Sequence, residues 1–216
     1  MTPKQALKSL AAKQIEVAPN VFLLKFKDTV EMGKVFIRFQ EHYESPKFRG
    51  QVFTMSEFKA WYSKAYGKGH FTYYKDWSGY NFPSYILQPF YDGKFGRLSK
   101  REQLILDVFR GMVGPYYVIG AVDTNTLKHE TAHGLFYTQP EYKAKVLKIL
   151  SSLDYSPVKK ILLDNCYCEA VLDDELNAYS IDGLNRYVWL KDIDLSIYRK
   201  ASKKLAKLFD QYKEKK

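Results

Sequence analysis

Five consecutive residues, His129-Glu130-Thr131-Ala132-His133, carry the strongest chemical signal in this 216-residue chain. In an α-helix, residues four apart lie one turn apart on the same face, so two imidazoles with this spacing can bind one Zn²⁺ at about 2.0–2.1 Å. Glu130 follows the first histidine and can reach a metal-bound water rather than the metal. The segment therefore predicts a metal-activated water with Glu130 as its general base.

The residues before this segment favour a metal-binding helix over the alternative, in which His129 and His133 only cap or pack a helix. Residues 116–122 are β-branched and aromatic, which is typical of a strand. Asp123 and Thr124 are residue types preferred at helix N-termini, and we expect one of them to cap the helix. A strand that leads into a helix with this histidine spacing is the setting that the motif needs.

The third ligand distinguishes one class of zinc hydrolase from another, because catalytic zinc usually has three protein ligands and one open position. The metzincin pattern is absent from the sequence, since Phe136 stands where that pattern has glycine and Gln139 where it has a third histidine. No histidine follows His133. A downstream third ligand must therefore be Asp, Glu, Cys or Tyr.

Glu175 is the best candidate for this ligand. It lies in the segment 172–179, whose leucines and alanine predict a helix with one buried face. A buried carboxylate is costly unless a cation neutralises it, which favours a metal nearby. The sequence does not determine which acidic residue of this segment faces the histidines, so Asp174 is the alternative ligand. Tyr179, one turn after Glu175, is placed to hydrogen-bond the oxyanion of a tetrahedral intermediate.

The two motifs together resemble the gluzincin class of zinc metallopeptidases, which combine H-E-x-x-H on one helix with a glutamate ligand on a later helix. The resemblance implies that His129, His133 and Glu175 bind one Zn²⁺ per chain and that Glu130 is the base. It covers the two short motifs and not the whole chain.

One departure from this resemblance concerns the support of the ligands. In thermolysin-like enzymes, an Asp four residues after the ligand glutamate supports a zinc-bound histidine, whereas this chain has Tyr179 at that position. We expect Asp173 or Asp174 to take the orienting role instead.

Composition indicates an ordinary globular protein, and the absence of a linker or repeat predicts a single domain over residues 1–216. The first residues contain no long apolar run, so a secretory signal is not expected. No stretch of the sequence is apolar over a length that spans a membrane, so a transmembrane segment is not expected either. Two cysteines, Cys166 and Cys168, are too close for a structural disulfide, and we expect buried free thiols. These features favour a cytoplasmic protein. The oligomeric state is not indicated.

The net charge is +10, and part of the excess lies in the C-terminal segment 199–209. Leu205, Leu208 and Phe209 give this segment an apolar stripe, which predicts a terminal helix packed by one face. Its lysines are expected to form a solvated basic face, and the alternative is a surface for an anionic partner. No recognised nucleic-acid module is present in the sequence.

Hydrophobic periodicity predicts an α+β fold, mostly helical with a small mixed sheet. The resemblance to gluzincins implies a zincin-like layout, with the active-site helix beneath the strands. Strands are predicted at residues 21–26, 71–74 and 116–122. Helices are predicted to begin near residues 29, 54, 99, 124, 140, 156, 172 and 199. The aromatic segment 71–95 is expected to be an irregular loop, which either lines a substrate cleft as a lid or is anchored to the body by its rings.

These observations lead to two hypotheses. The first is a zinc-dependent metallopeptidase that hydrolyses a peptide or protein substrate, or another amide bond, with Glu130 as base, while Tyr179, or one of Tyr116, Tyr117 and Tyr137, stabilises the oxyanion. The second is a non-enzymatic, zinc-stabilised basic module for an anionic partner. Glu130 favours the first, because a purely structural zinc site is usually closed and cysteine-rich and has no use for a base.

Overall fold

Residues 1–124, 126–165, 167 and 169–215 are described by the structure, a computed structural model. The prediction of buried thiols at Cys166 and Cys168 falls outside these residues. The chain forms two compact units. Unit 1 comprises Met1–Glu16 and Phe22–Thr126, and unit 2 comprises Val17–Val21 and Leu127–Lys216. The expectation of one domain over residues 1–216 stays a prediction.

The elements up to Thr126 are helical segments around a small sheet. They are α1 (Pro3–Leu10), β1 (Lys13–Ala18), β2 (Val21–Lys25), α2 (Thr29–Glu44), α3 (Met55–Ala65), α4 (Tyr73–Asp76), β3 (Gly79–Pro83), α5 (Gln88–Tyr91), α6 (Lys100–Phe109) and β4 (Tyr117–Ala121). The four-stranded sheet has the order β1-β2-β4-β3. Strands β3 and β4 are antiparallel, with Gly79 opposite Ala121 and Pro83 opposite Tyr117.

The core of unit 1 is aromatic, and α2 supplies its centre. The ring of Phe36 stacks on Tyr80 at 5.8 Å and tilts against Phe82 at 5.5 Å. Gly120 in β4 permits this packing, because a Cβ at that position would lie 2.6 Å from the Phe36 ring. Any larger residue there would push α2 away from the strand.

The aromatic segment 71–95 is more regular than the sequence suggests. The predicted strand at residues 71–74 is wrong, because α4 begins at Tyr73, whose buried hydroxyl donates to Glu41 at 2.6 Å. The predicted irregular loop also contains strand β3 and the short helix α5. Tyr80, Phe82 and Phe90 are buried in the core of unit 1, so these three rings anchor the segment rather than line a cleft.

Unit 2 is helical. Its helices are α7 (Leu127–Thr138), α8 (Pro140–Leu150), α9 (Ser156–Asp164), α10 (Leu172–Asp182) and α11 (Arg199–Lys213), with 3₁₀ turns at Glu169–Val171, Leu184–Arg186, Val188–Leu190 and Leu195–Tyr198. Helix α7 packs against α10, α8 and α11. Pro140 and Pro157 lie in the first turns of α8 and α9, where proline has no lost hydrogen bond to replace. Gly183, with φ of +104°, ends α10.

Helix α11 confirms the prediction of a terminal amphipathic helix. Its buried residues recur at helical spacing and are Ala201, Leu205, Leu208, Phe209 and Tyr212. The lysines at positions 203, 204 and 207 are exposed on the other side.

The α+β class is confirmed: the fold is mostly helical with a small mixed four-stranded sheet. Helix α1 and strands β1 and β3 were not among the predicted elements. Helix α7 begins at Leu127 rather than directly after the expected caps Asp123 and Thr124. Among the described residues, no helix combines the length and the apolar character needed to cross a membrane.

Candidate metal centre

Two neighbouring helices of unit 2 bring the candidate ligands together. His129 and His133 lie one turn apart on α7, and Glu175 lies in the first turn of α10. Residues 131–136 of α7 are all buried, so this helix is enclosed rather than amphipathic. Packing against α10 then places the histidines beside the acidic turn. The sequence spacing supplies the pair of imidazoles, and the contact between α7 and α10 supplies the carboxylate.

The three ligand atoms form a triangle of the size that zinc requires. His129 Nε2 lies 3.1 Å from His133 Nε2, and Glu175 Oε2 lies 3.8 and 3.7 Å from these two nitrogens. A point equidistant from the three atoms is about 2.1 Å from each, which matches Zn–N and Zn–O bonds. The donor set, two imidazoles and one carboxylate, is also that of a catalytic rather than a structural zinc site.

The buried carboxylate of Glu175 would be stabilised by a nearby cation. Its Oε2 is buried and makes no hydrogen bond within the part of the chain that the structure describes. Burial raises the pKa of this carboxyl to about 7, although the charge of His133 opposes the shift. A carboxylate that has lost its hydration without gaining a partner is expensive. A metal ion at the equidistant point would neutralise it.

The two histidines differ in protonation when no metal is bound. Burial, followed by the charge of His133, lowers the pKa of His129 to about 2, so this imidazole is neutral and offers a lone pair. Burial also acts to lower the pKa of His133, but the charges of Asp174 and Glu175 outweigh it and hold this pKa well above its ordinary value. The proton on His133 therefore bridges the two Nε2 atoms at 3.1 Å. Metal binding would replace that proton and release it.

Asp174 and Asp173 have different surroundings. This difference distinguishes between them as the residue that orients a ligand histidine, and between Asp174 and Glu175 as the third ligand. Asp174 Oδ1 lies 2.9 Å from His133 Nδ1, the nitrogen that faces away from the ligand triangle, at ion-pair distance but without hydrogen-bond alignment. Asp173 is half exposed and pairs with Lys159 at 2.8 Å. Asp174 is thus placed to orient His133, and Glu175 is the carboxylate that faces both Nε2 atoms.

Asp174→Asn is expected to weaken zinc binding by about 10- to 100-fold, the usual cost of losing a carboxylate behind a ligating histidine. Competition with a fluorescent zinc chelator measures this affinity. Asp173→Asn, one residue away, is the matched control and should leave the affinity unchanged. Equal effects of the two substitutions would show that the acidic segment acts only through its overall charge.

Glu130 and Tyr179 are close to the ligand triangle. The negative charge of Glu130 contributes to raising the pKa values of His133, Glu175 and Tyr179, after the larger effects of burial and nearer charges. The Tyr179 ring lies edge-on to the His129 ring at 4.8 Å. Burial raises the pKa of Tyr179 to about 12, so its hydroxyl stays protonated at neutral pH and can donate a hydrogen bond.

The other tyrosines predicted as oxyanion donors have different surroundings. In unit 1, Tyr117 donates its hydroxyl to Asn81 at 2.6 Å, and the Tyr116 ring stacks on Phe109 at 5.2 Å. Tyr137 lies one turn after His133 on α7 and is partly buried, so it stays the alternative donor within unit 2.

Sequence reasoning missed three residues around Tyr179. The Tyr167 hydroxyl lies 2.8 Å from the Tyr179 hydroxyl, and the rings of Tyr187 and Trp189 lie 4.5 and 5.1 Å from the Tyr179 ring. These side chains come from the segments before and after α10. No spacing rule links them to the histidine motif, so the sequence carries no signal that would have found them.

Comparison with models of known protein families, with curated proteins and with solved structures finds no match to this chain. The interpretation of the centre therefore rests on its own geometry.

Proposed function

We propose that this protein is a zinc-dependent hydrolase of the gluzincin type that cleaves a peptide or amide bond. The observation that carries the proposal is the triangle formed by His129 Nε2, His133 Nε2 and Glu175 Oε2, whose equidistant point lies at zinc-bonding distance. Zinc held there would polarise the scissile carbonyl and lower the pKa of water on its open position to about 7.

The protein's own residues supply the proton transfers and charge stabilisation. Glu130 takes the proton of the attacking water and delivers it to the leaving amine. Tyr179, protonated and held by Tyr167, donates a hydrogen bond to the oxyanion. Asp174 holds the orientation of His133. A cytoplasmic location is part of the proposal and is supported by a content of two cysteines that lie too close for a structural disulfide.

A screen with a degenerate peptide mixture tests the proposal even though the substrate is unidentified. The protein is incubated with the mixture after zinc loading, and new peptide termini are identified by mass spectrometry. We expect cleavages that disappear on chelation, return when zinc is added back, and are absent from a His129→Ala protein treated identically. Cleavage that persists in His129→Ala would point to a contaminating protease.

A second candidate function is a zinc-stabilised module without catalysis, and one observation favours it. The three ligand side chains are at most 15% exposed, and neither of the two cavities described in unit 2 is lined by any of them. In that case zinc would raise the thermal unfolding midpoint and no peptide in the mixture would be cleaved. The basic face of α11 would then be the surface for an anionic partner.

A further inference from the structure

A concave site in unit 2 shares no residue with the ligand triangle. It is a half-open cavity of about 300 Å³ bounded by the end of α10, the turn that follows α10 and the first turns of α11. Its lining combines apolar side chains with hydroxyl and amide groups from Ser180, Asn185, Ser196 and Ser202. The volume is at the lower end of the range for small-molecule pockets.

The charged side chains that line this cavity are both basic. Arg199 and Lys203, four residues apart on α11, both line it, and no carboxylate is among its lining residues. Neither cation forms an ion pair within the described ranges 1–124, 126–165, 167 and 169–215. The charge of Arg199 contributes to lowering the pKa of Asp194, after the larger effect of hydrogen bonds from Ser196. The cavity therefore presents two cations, of which Arg199 has one carboxylate within electrostatic reach.

The inner wall of the cavity contains a buried hydroxyl. Ser180 is 3% exposed and lines the cavity from α10. Beside its Oγ lies the Tyr155 hydroxyl, at the margin of hydrogen-bond geometry. The Ser180 hydroxyl can therefore turn from Tyr155 towards a group bound in the cavity.

We propose that this cavity binds a phosphoryl group, either as inorganic phosphate or as part of a small phosphomonoester. Two cations match a dianion, and several hydroxyl and amide donors match its three or four acceptor oxygens. A carboxylate would use one cation and leave most donors unpaired. The site is independent of the metal centre, since it uses none of the residues placed there.

The test is a calorimetric titration of the full chain with inorganic phosphate and, separately, with glycerol phosphate, at constant ionic strength and with a zinc chelator present. We expect saturable binding of at least one of them. Arg199→Gln/Lys203→Gln should weaken it by at least about tenfold, because each lost charge-assisted hydrogen bond is worth more than about 1.4 kcal/mol. Tighter binding of glycerol phosphate than of phosphate would identify a phosphomonoester site, and the reverse a free-phosphate site.

The matched control is Lys200→Gln/Lys204→Gln, which removes two exposed charges from the same helix turns without touching the cavity lining. This protein should bind as the unmodified chain does. Equal weakening in both double variants would reduce the effect to the general charge of α11 and overturn the proposal. So would the absence of saturable binding by both ligands. Far-UV circular dichroism of each variant verifies that the helices are retained.

Discussion

Replacing Glu130 with glutamine is expected to lower peptide hydrolysis by about 10²- to 10⁴-fold while one zinc stays bound per chain. Glutamine keeps the size of the side chain but cannot accept a proton. The proposed ligand atoms come from His129, His133 and Glu175 and are left intact. The loss should therefore fall on kcat, with zinc affinity changed little. Steady-state kinetics on a peptide from the degenerate screen, with metal content measured on the same sample, checks both parts.

Glu169→Gln is the matched control for this prediction, because Glu169 is an exposed glutamate in the 3₁₀ turn that leads into α10. It should retain full activity. A Glu130→Gln protein with unchanged kcat and intact zinc would remove Glu130 from the mechanism. A Glu130→Gln protein that has lost its zinc would make Glu130 a ligand instead of a base.

Replacing Glu175 with glutamine is expected to have opposite effects on stability with and without zinc. Without metal, burial raises the pKa of Glu175 to about 7, so its contribution to stability is present below about pH 4.5 and is lost as the pH rises through 7. At pH 8 the ionised carboxylate of Glu175 destabilises the folded chain. Glutamine at this position should therefore raise the free energy of unfolding by about 1 to 3 kcal/mol. Near pH 4 the two metal-free proteins should be equally stable.

With zinc present, we expect the unmodified protein to be more stable than Glu175→Gln. Zinc stabilises the folded chain by an amount that grows with the logarithm of its affinity, and the variant has lost one of the three proposed ligands. Thermal unfolding at pH 4 and pH 8, with chelator and with excess zinc, gives the four comparisons. Asp173→Asn, which removes an exposed partner of Lys159, should change the free energy of unfolding by less than about 0.5 kcal/mol throughout. A Glu175→Gln protein that is less stable in every condition would assign Glu175 a purely structural role.

Local signals in the sequence predicted the elements that depend on neighbouring residues. The capping boxes at Thr54–Glu57 and Ser99–Glu102 mark the starts of α3 and α6, since each box is closed by groups three residues apart. Strand β1, in contrast, reads Lys-Gln-Ile-Glu-Val-Ala and gains its strand character from pairing with β2. Tyr73 favours a strand by type, but its buried hydrogen bond to Glu41 is made from a helix.

In the candidate site too, the features set by neighbouring residues were predictable from the sequence, and those set by helix packing were not. The spacing of His129 and His133 is local and places both on one face of α7. The roles of Asp174 and Glu175 depend on the register of α10 against α7, which no local pattern determines. The contact of Tyr167 with Tyr179 joins residues across a turn of the chain and was not predictable for the same reason.

The most direct test of the metal centre is the zinc content of the purified protein by elemental mass spectrometry, beside His129→Ala and Glu175→Ala. The geometry predicts about one zinc per chain in the unmodified protein and a sharp loss in both variants. Zinc lost only with His129 would move the third ligand, with Asp174 next to be replaced. An unmodified protein that takes up no zinc, even after reconstitution, would contradict the metal centre and the hydrolase proposed from it.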